Sequence, residues 1–208
     1  MFIIKIKKSV LITCLGVIFG VLSMYFAFSK IAFLEVSYVR YSLIFLLLAG
    51  ICDMFDGKVA RMCKRSEYDK KFGIQIDSLA DTVSFVCLPV VIMLSLGMDS
   101  IVSIIGFVLF ILCGVLRLAH FNVLADADEP VKYYSGLPVT TTAFIFPLLG
   151  LLHGIIPEES FEIVYLIATY IIACLFILNV KVPKLKGKAY IVVPIISIIL
   201  VILLLVIR

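Results

Sequence analysis

The chain has 208 residues, 63% of them hydrophobic and only 15% charged, with a mean hydropathy of +1.23. A soluble domain carries roughly 45–50% apolar and about 25% charged residues, so a soluble globular protein and a disordered one are both excluded. The formal net charge of +4 is too small to point to nucleic acid, and no nucleic-acid partner is expected.

The N-terminal residues, to about Ser9, carry Lys5, Lys7 and Lys8 and read as a short interfacial lead-in rather than a cleaved leader. Seven apolar segments follow: Val10–Ser29, Tyr41–Arg61, Phe72–Leu96, Ile101–Val123, Leu137–Ile156, Phe161–Val180 and Ala189–Ile207. Each holds about 20 residues or more, enough to cross a hydrocarbon core of about 30 Å as a helix. A membrane barrel would show strands of about 10 alternating residues instead. The expected fold class is therefore all-α, a polytopic membrane helical bundle forming one integral-membrane domain over residues 1–208. The fifth segment opens Leu-Pro and contains Pro147 and Gly154, so a kinked or partly re-entrant helix is expected there. No internal repeat is visible.

Orientation follows from the cations. With the N-terminus cytoplasmic, that side receives Lys5, Lys7, Lys8, Lys58, Arg61, Lys64, Arg65, Lys70, Lys71, Arg117, Lys132, Lys181, Lys184, Lys186 and Lys188. The other side receives Lys30, Arg40 and Arg208. The asymmetry predicts an integral cell-membrane protein with its N-terminus on the cytoplasmic side. The six cysteines are scattered with no C-x-x-C pair and read as small buried hydrophobes, not as a disulfide framework or zinc site.

Four acids interrupt the apolar helices: Asp53, Asp56, Asp77 and Asp81. An ionised Asp at mid-membrane costs at least about 2.5–3.5 kcal/mol, so such residues usually mark a function. At about 100° per residue, Asp53, Asp56, Gly57 and Ala60 share a face about 100° wide, and Gly73, Asp77 and Asp81 share a face on the next helix. Counted at about 1.5 Å per residue from Arg40 and Asp99, the acids and Arg117 converge on the cytoplasmic third of the membrane. Two such faces can form one cleft, whose repelling carboxylates call for hard divalent cations with oxygen ligands. Gly57, Ala60 and Gly73 leave room for a ligand to approach the backbone. At this level three readings stay open: a metal-dependent site, a structural network of the acids with Lys58, Arg61 and Arg117, and the cation pathway of a small transporter.

The run Asp53-Met-Phe-Asp56-Gly57-Lys-Val-Ala60-Arg61, followed by Gly73-Ile-Gln-Ile-Asp77-Ser-Leu-Ala-Asp81, resembles the signature of CDP-alcohol phosphatidyltransferases, D-x2-D-G-x2-A-R-x8-G-x3-D-x3-D. There is one departure: eleven residues, Met62–Phe72, stand between Arg61 and Gly73 where the pattern has eight. The extra residues are expected to lengthen a charged loop without moving either acid face. Gln75–Phe85, Leu116–Val123 and Tyr134–Pro138 are similar to the phosphatidylserine synthase branch, and the likeness covers roughly residues 45–145.

The resemblance implies a dimerising six-helix core, here about residues 10–182, with the segment at about 189–207 as an added helix. It implies transfer of a phosphatidyl group from CDP-diacylglycerol, or an archaeal ether-lipid equivalent, to the hydroxyl of L-serine, with release of CMP. Asp53, Asp56, Asp77 and Asp81 would hold one or two divalent cations, Mg²⁺ or Mn²⁺, and Asp81 would also be the catalytic general base. Asp56, Gly57, Ala60, Arg61, Gly73 and Asp77 would line the cytidine diphosphate pocket, which faces the cytoplasm. Arg117, His120, Asn122, Ser78, Ser84 and Ser135 are candidates for binding the acceptor or a phosphate, although His120 also reads as an interfacial helix cap and the serines as helix-packing residues. Rival readings are another acceptor, such as inositol phosphate or glycerol phosphate, and the cation-coupled transporter. Thr140, Thr141 and Thr142 are expected to bond back to their own helix, His153 to be non-functional, and the Phe and Tyr residues mostly to face lipid.

Overall fold

The computed structural model describes residues 8–33, 37–63, 65–125, 133–183, 187 and 189–206. Within these, seven helices follow the seven predicted segments. They are α1 Lys8–Phe33, α2 Ser37–Met62, α3 Glu67–Ser95, α4 Ile101–Ala125, α5 Thr142–Gly150, α6 Glu158–Ile177 and α7 Ala189–Val206. Residues 1–7 of the expected lead-in lie outside the described residues. Five helices (α1, α3, α4, α6 and α7) are long and apolar enough to cross a membrane, as an all-α integral membrane protein requires. α2 is as long as α1, at 26 residues, but carries Asp53 and Asp56.

α1 lies along α2, α4 along α6, and α2 packs on α5, with α3 between α1 and α4. α3 opens with a capping box. The Ser66 hydroxyl accepts from the Asp69 N–H at 3.2 Å, and the Asp69 carboxylate accepts from the Ser66 N–H at 2.8 Å. This satisfies two otherwise orphaned donors and starts the helix at Glu67. The eleven-residue spacer after Arg61 is therefore not a lengthened loop. Only residues 63–66 join α2 to α3, and Glu67–Phe72 form the first turns of α3. The expectation of a longer loop is corrected, because the Ser66–Asp69 pair caps a helix where the charge run suggested coil. One wide π turn, Thr82–Cys87, follows directly after Asp81 inside α3. Thr142 of α5 donates to the Phe85 carbonyl of that turn at 2.9 Å, and also back to Val139 at 2.8 Å. Thr141 bonds back to Pro138 at 2.7 Å.

The fifth predicted segment forms one short helical stretch, Val139–Gly150, too short to cross alone. Pro147 lies inside it, and a run of tight turns carries the chain on to Ile156.

The aromatic residues correct a second expectation. Phe110, Phe146, Phe161, Tyr165 and Phe176 are fully buried and form a continuous ring cluster. Centroids are 5.9 Å apart for Phe110–Phe146, 5.3 Å for Phe110–Phe176 and 4.6 Å for Phe161–Tyr165. Lipid is as apolar as a side chain, so helices associate through close packing and internal polar bonds; large rings fill the space between α4, α5 and α6. The Tyr165 hydroxyl donates to the Phe146 carbonyl at 2.5 Å. Between α1 and α2, Ser23 and Ser42 each donate to the other's carbonyl, at 2.6 and 2.9 Å. On α4 and α7 the lipid-facing positions are aliphatic, including Ile104, Val108 and Leu112 on α4 and Ile191, Ile195 and Ile198 on α7, while Tyr25 and Phe28 of α1 stay exposed. The described cysteines form no disulfide; only Cys52 is buried and Cys174 is exposed, so the reading of all six as buried is too broad.

A two-stranded antiparallel ribbon, β1 Tyr133–Ser135 with β2 Lys181–Pro183, ties the segment before α5 to the segment after α6. Next to it Gly136 has φ +79°, and a Cβ there would stand 2.6 Å from the Phe176 carbonyl oxygen. Only glycine combines this backbone conformation with this approach. Gly136→Ala is expected to destabilise the protein by about 2 kcal/mol or more, read as a lowered unfolding midpoint in detergent.

Candidate functional site

The acids of α2 and α3 meet across the interface of these antiparallel helices. Asp53 faces Asp81 and Asp56 faces Asp77, each pair within hydrogen-bonding reach. Carboxylate oxygens of Asp53, Asp56 and Asp77 all lie within 4.8 Å of one another. Three hard oxygen donors at this separation fit a divalent cation. Asp81 stands outside that group of three, buried beside Asp53. Arg117 of α4 is also buried, and its charge acts on both Asp53 and Asp81.

Two hollows adjoin the acids and share Thr13 and Asp56. The inner one, barely the size of a water, is lined by Thr13, Asp53, Asp56, Asp81 and Ser84. The outer one is a cleft of about 120 Å³ that opens to solvent, lined by Thr13, Asp56, Gly57, Ala60, Arg65, Gly73 and Asp77. The small residues predicted to leave ligand room therefore do share one cleft with two of the acids.

The remaining predicted residues divide. Ser78 donates to the Asn122 amide oxygen at 2.7 Å, linking α3 to α4 one turn from Asp81. Ser84 is buried in the wide turn, against Gly20 of α1. His120 is exposed and is not brought to the acids. Arg61 stands on α2 and Ser135 in β1, but their side chains lie outside the described residues.

Two residues that the sequence reading missed belong to the site. Thr13 of α1 donates its hydroxyl to Asp56 Oδ2 at 2.8 Å, so the first helix is part of the site and not merely a span. The available signal was a hydroxyl inside an otherwise apolar run. Arg65 is the second; it lies in the spacer between Arg61 and Gly73 but was counted only as a cytoplasmic cation.

The sequence profile of the CDP-alcohol phosphatidyltransferase family matches residues 9–207. Among individual proteins, the chain is similar to the CDP-diacylglycerol–serine O-phosphatidyltransferase of Saccharomyces cerevisiae, at 39% identity over 105 residues, 47% of this chain and 37% of the yeast protein. It is 39% identical over 101 residues to the archaetidylserine synthase of Methanothermobacter thermautotrophicus, covering 48% of this chain and 42% of that one. It is 33% identical over 151 residues to the CDP-diacylglycerol–serine O-phosphatidyltransferase of Methanocaldococcus jannaschii, covering 73% of this chain and 67% of that one. The match thus spans about two fifths of the first two relatives. With the profile running almost from end to end and three of the signature acids within 4.8 Å of one another, the chain belongs to the CDP-alcohol phosphatidyltransferase family.

Proposed function

We propose that the protein transfers the phosphatidyl group of CDP-diacylglycerol, or of an ether-linked equivalent, to the hydroxyl of L-serine. The new bond joins the serine oxygen to the lipid phosphorus, and the bond from that phosphorus to the CMP phosphate breaks. The observation that carries this reading is the convergence of Asp53, Asp56 and Asp77 within 4.8 Å, the last two lining a cleft together with Gly57, Ala60 and Gly73. Its support from outside the chain is the activity for which the relatives are named.

Asp53, Asp56 and Asp77 are the residues to hold one or two divalent cations, Mg²⁺ or Mn²⁺, with Asp81 at the edge of the set. Bound there, such cations neutralise a diphosphate and stabilise the phosphate that leaves. Asp81 takes the proton of the serine hydroxyl, a role suited to a buried carboxylate next to a cation. Arg117 offers a planar two-pronged donor for the serine carboxylate or the donor phosphate. Ser78 and Asn122, already bonded to each other, border that acceptor region, with Ser84 behind Asp81. Ser135 completes the proposed acceptor set, and His120, exposed and away from the acids, is left out of it. Asp56, Gly57, Ala60, Arg61, Gly73 and Asp77 hold the cytidine diphosphate. The excess of Lys and Arg on one side supports a site and an N-terminus at the cytoplasmic face, and the family resemblance supports a homodimer.

The test is CMP release by purified protein in detergent, with CDP-diacylglycerol and Mn²⁺ or Mg²⁺. Serine-dependent release that EDTA abolishes supports the whole reading. Release that requires another alcohol changes the acceptor, and no release with any alcohol from folded protein overturns it. In the same assay Thr13→Val, which keeps the shape and removes the donor to Asp56, should lower kcat/KM by about tenfold, the usual worth of a hydrogen bond to a charged group.

A further inference from the structure

We propose that Arg65 binds a phosphate of the cytidine diphosphate donor, from the spacer whose residues the family signature leaves unspecified. This rests on the reading of the outer cleft as the nucleotide site.

Arg65 lines that cleft together with Asp56, Gly57, Gly73 and Asp77. Its Nη1 lies 3.9 Å from where a Cβ on Gly73 would stand, so the guanidinium reaches over the glycine and not away into solvent. The reach is set by the backbone. Arg65 occupies the four-residue joint between α2 and α3, and its neighbour Ser66 is locked by the capping box with Asp69. Among the described residues Arg65 forms no ion pair or hydrogen bond, although two carboxylates line the same cleft. Its planar donors are thus left for a ligand. A guanidinium stays charged at any working pH and matches phosphate oxygens with two parallel N–H groups.

The arrangement is bipolar. The same cleft is lined by Asp56 and Asp77, suited to a cation, and by Arg65, with Gly57 and Gly73 beside them. A metal-chelated diphosphate would satisfy both charges at once, its cation meeting the acids and its free oxygens the guanidinium. Serine carries no phosphate, so the donor is the substrate this residue serves.

The experiment is CDP binding by calorimetry with Mn²⁺, in a non-ionic detergent free of anionic lipid, so that a lipid headgroup cannot be the source of the signal. Arg65→Gln should raise the Kd for CDP about tenfold or more, Arg65→Lys should give an intermediate value, and the KM for serine should stay unchanged. The unfolding midpoint of both variants should match that of the wild type. If Arg65→Gln binds CDP as tightly as the wild type, the role of Arg65 is overturned while the nucleotide reading stands. If binding and midpoint fall together and lysine rescues neither, Arg65 is structural and the proposal fails. If the wild-type protein itself binds no CDP with Mn²⁺, the nucleotide reading and this inference fall together.

Discussion

Asp81→Asn should abolish turnover, lowering kcat by about 10³-fold or more, while CDP-diacylglycerol and Mn²⁺ affinities stay within a few-fold of the wild type. General acid–base catalysis by a placed side chain contributes typically about 10²- to 10⁴-fold, and Asn keeps the shape of Asp while losing its capacity to accept a proton. The separation of effects comes from the geometry. Asp53, Asp56 and Asp77 lie within 4.8 Å of one another without Asp81, and Asp81 does not line the outer cleft. Removing its charge leaves the three-carboxylate group whole. The measurement is single-turnover CMP release set beside calorimetric binding of Mn²⁺ and CDP. Near-normal turnover would remove Asp81 as the base. A parallel collapse of Mn²⁺ affinity would instead make it a principal metal ligand.

Asp77→Asn should do the reverse, removing cation binding first and activity with it. Asp77 is the one member of the three-carboxylate group supplied by α3, and it faces Asp56 across the helix interface. Without a cation these carboxylates repel one another in a poorly solvated place. The neutral variant should therefore unfold at a higher temperature than the wild type when both are metal-free. The wild type should gain stability on addition of Mn²⁺, by about 2.7 kcal/mol at a hundredfold excess over Kd, and the variant should gain little. A thermal shift series with and without Mn²⁺ reads both effects. Equal Mn²⁺ stabilisation of the two proteins would show that the cation sits elsewhere.

The two acid faces were legible because helical periodicity is local. Asp53, Asp56, Gly57 and Ala60 fall on one side of any α-helix of this sequence, and the 13 residues from Arg40 to Asp53 set a depth before any neighbour is known. The start of α3 was also encoded, in the Ser66–Asp69 capping pair, but the charge run around it was read as loop. The aromatic core was not legible: Phe110, Phe146 and Phe176 stand in uniformly apolar segments, where no polar face marks which side meets protein and which meets lipid.

By itself the sequence determined a bilayer-embedded α-helical chain, the number of its helices, and the carboxylate faces of two of them, since composition and the 3.6-residue period need no partner. Only the tertiary structure decided that Asp53, Asp56 and Asp77 form the close group with Asp81 beside it, that Thr13 of α1 bonds Asp56, and that Arg65 turns back over Gly73. Those distances depend on how far apart the helices lie and how each is rotated. These are set where small residues allow close approach: at Gly50, where an added Cβ would stand 2.6 Å from Ala143, and at Gly20 against Ser84. A helix fixes its own faces through local geometry, but its distance to a neighbour is a packing outcome of residues far apart in the chain.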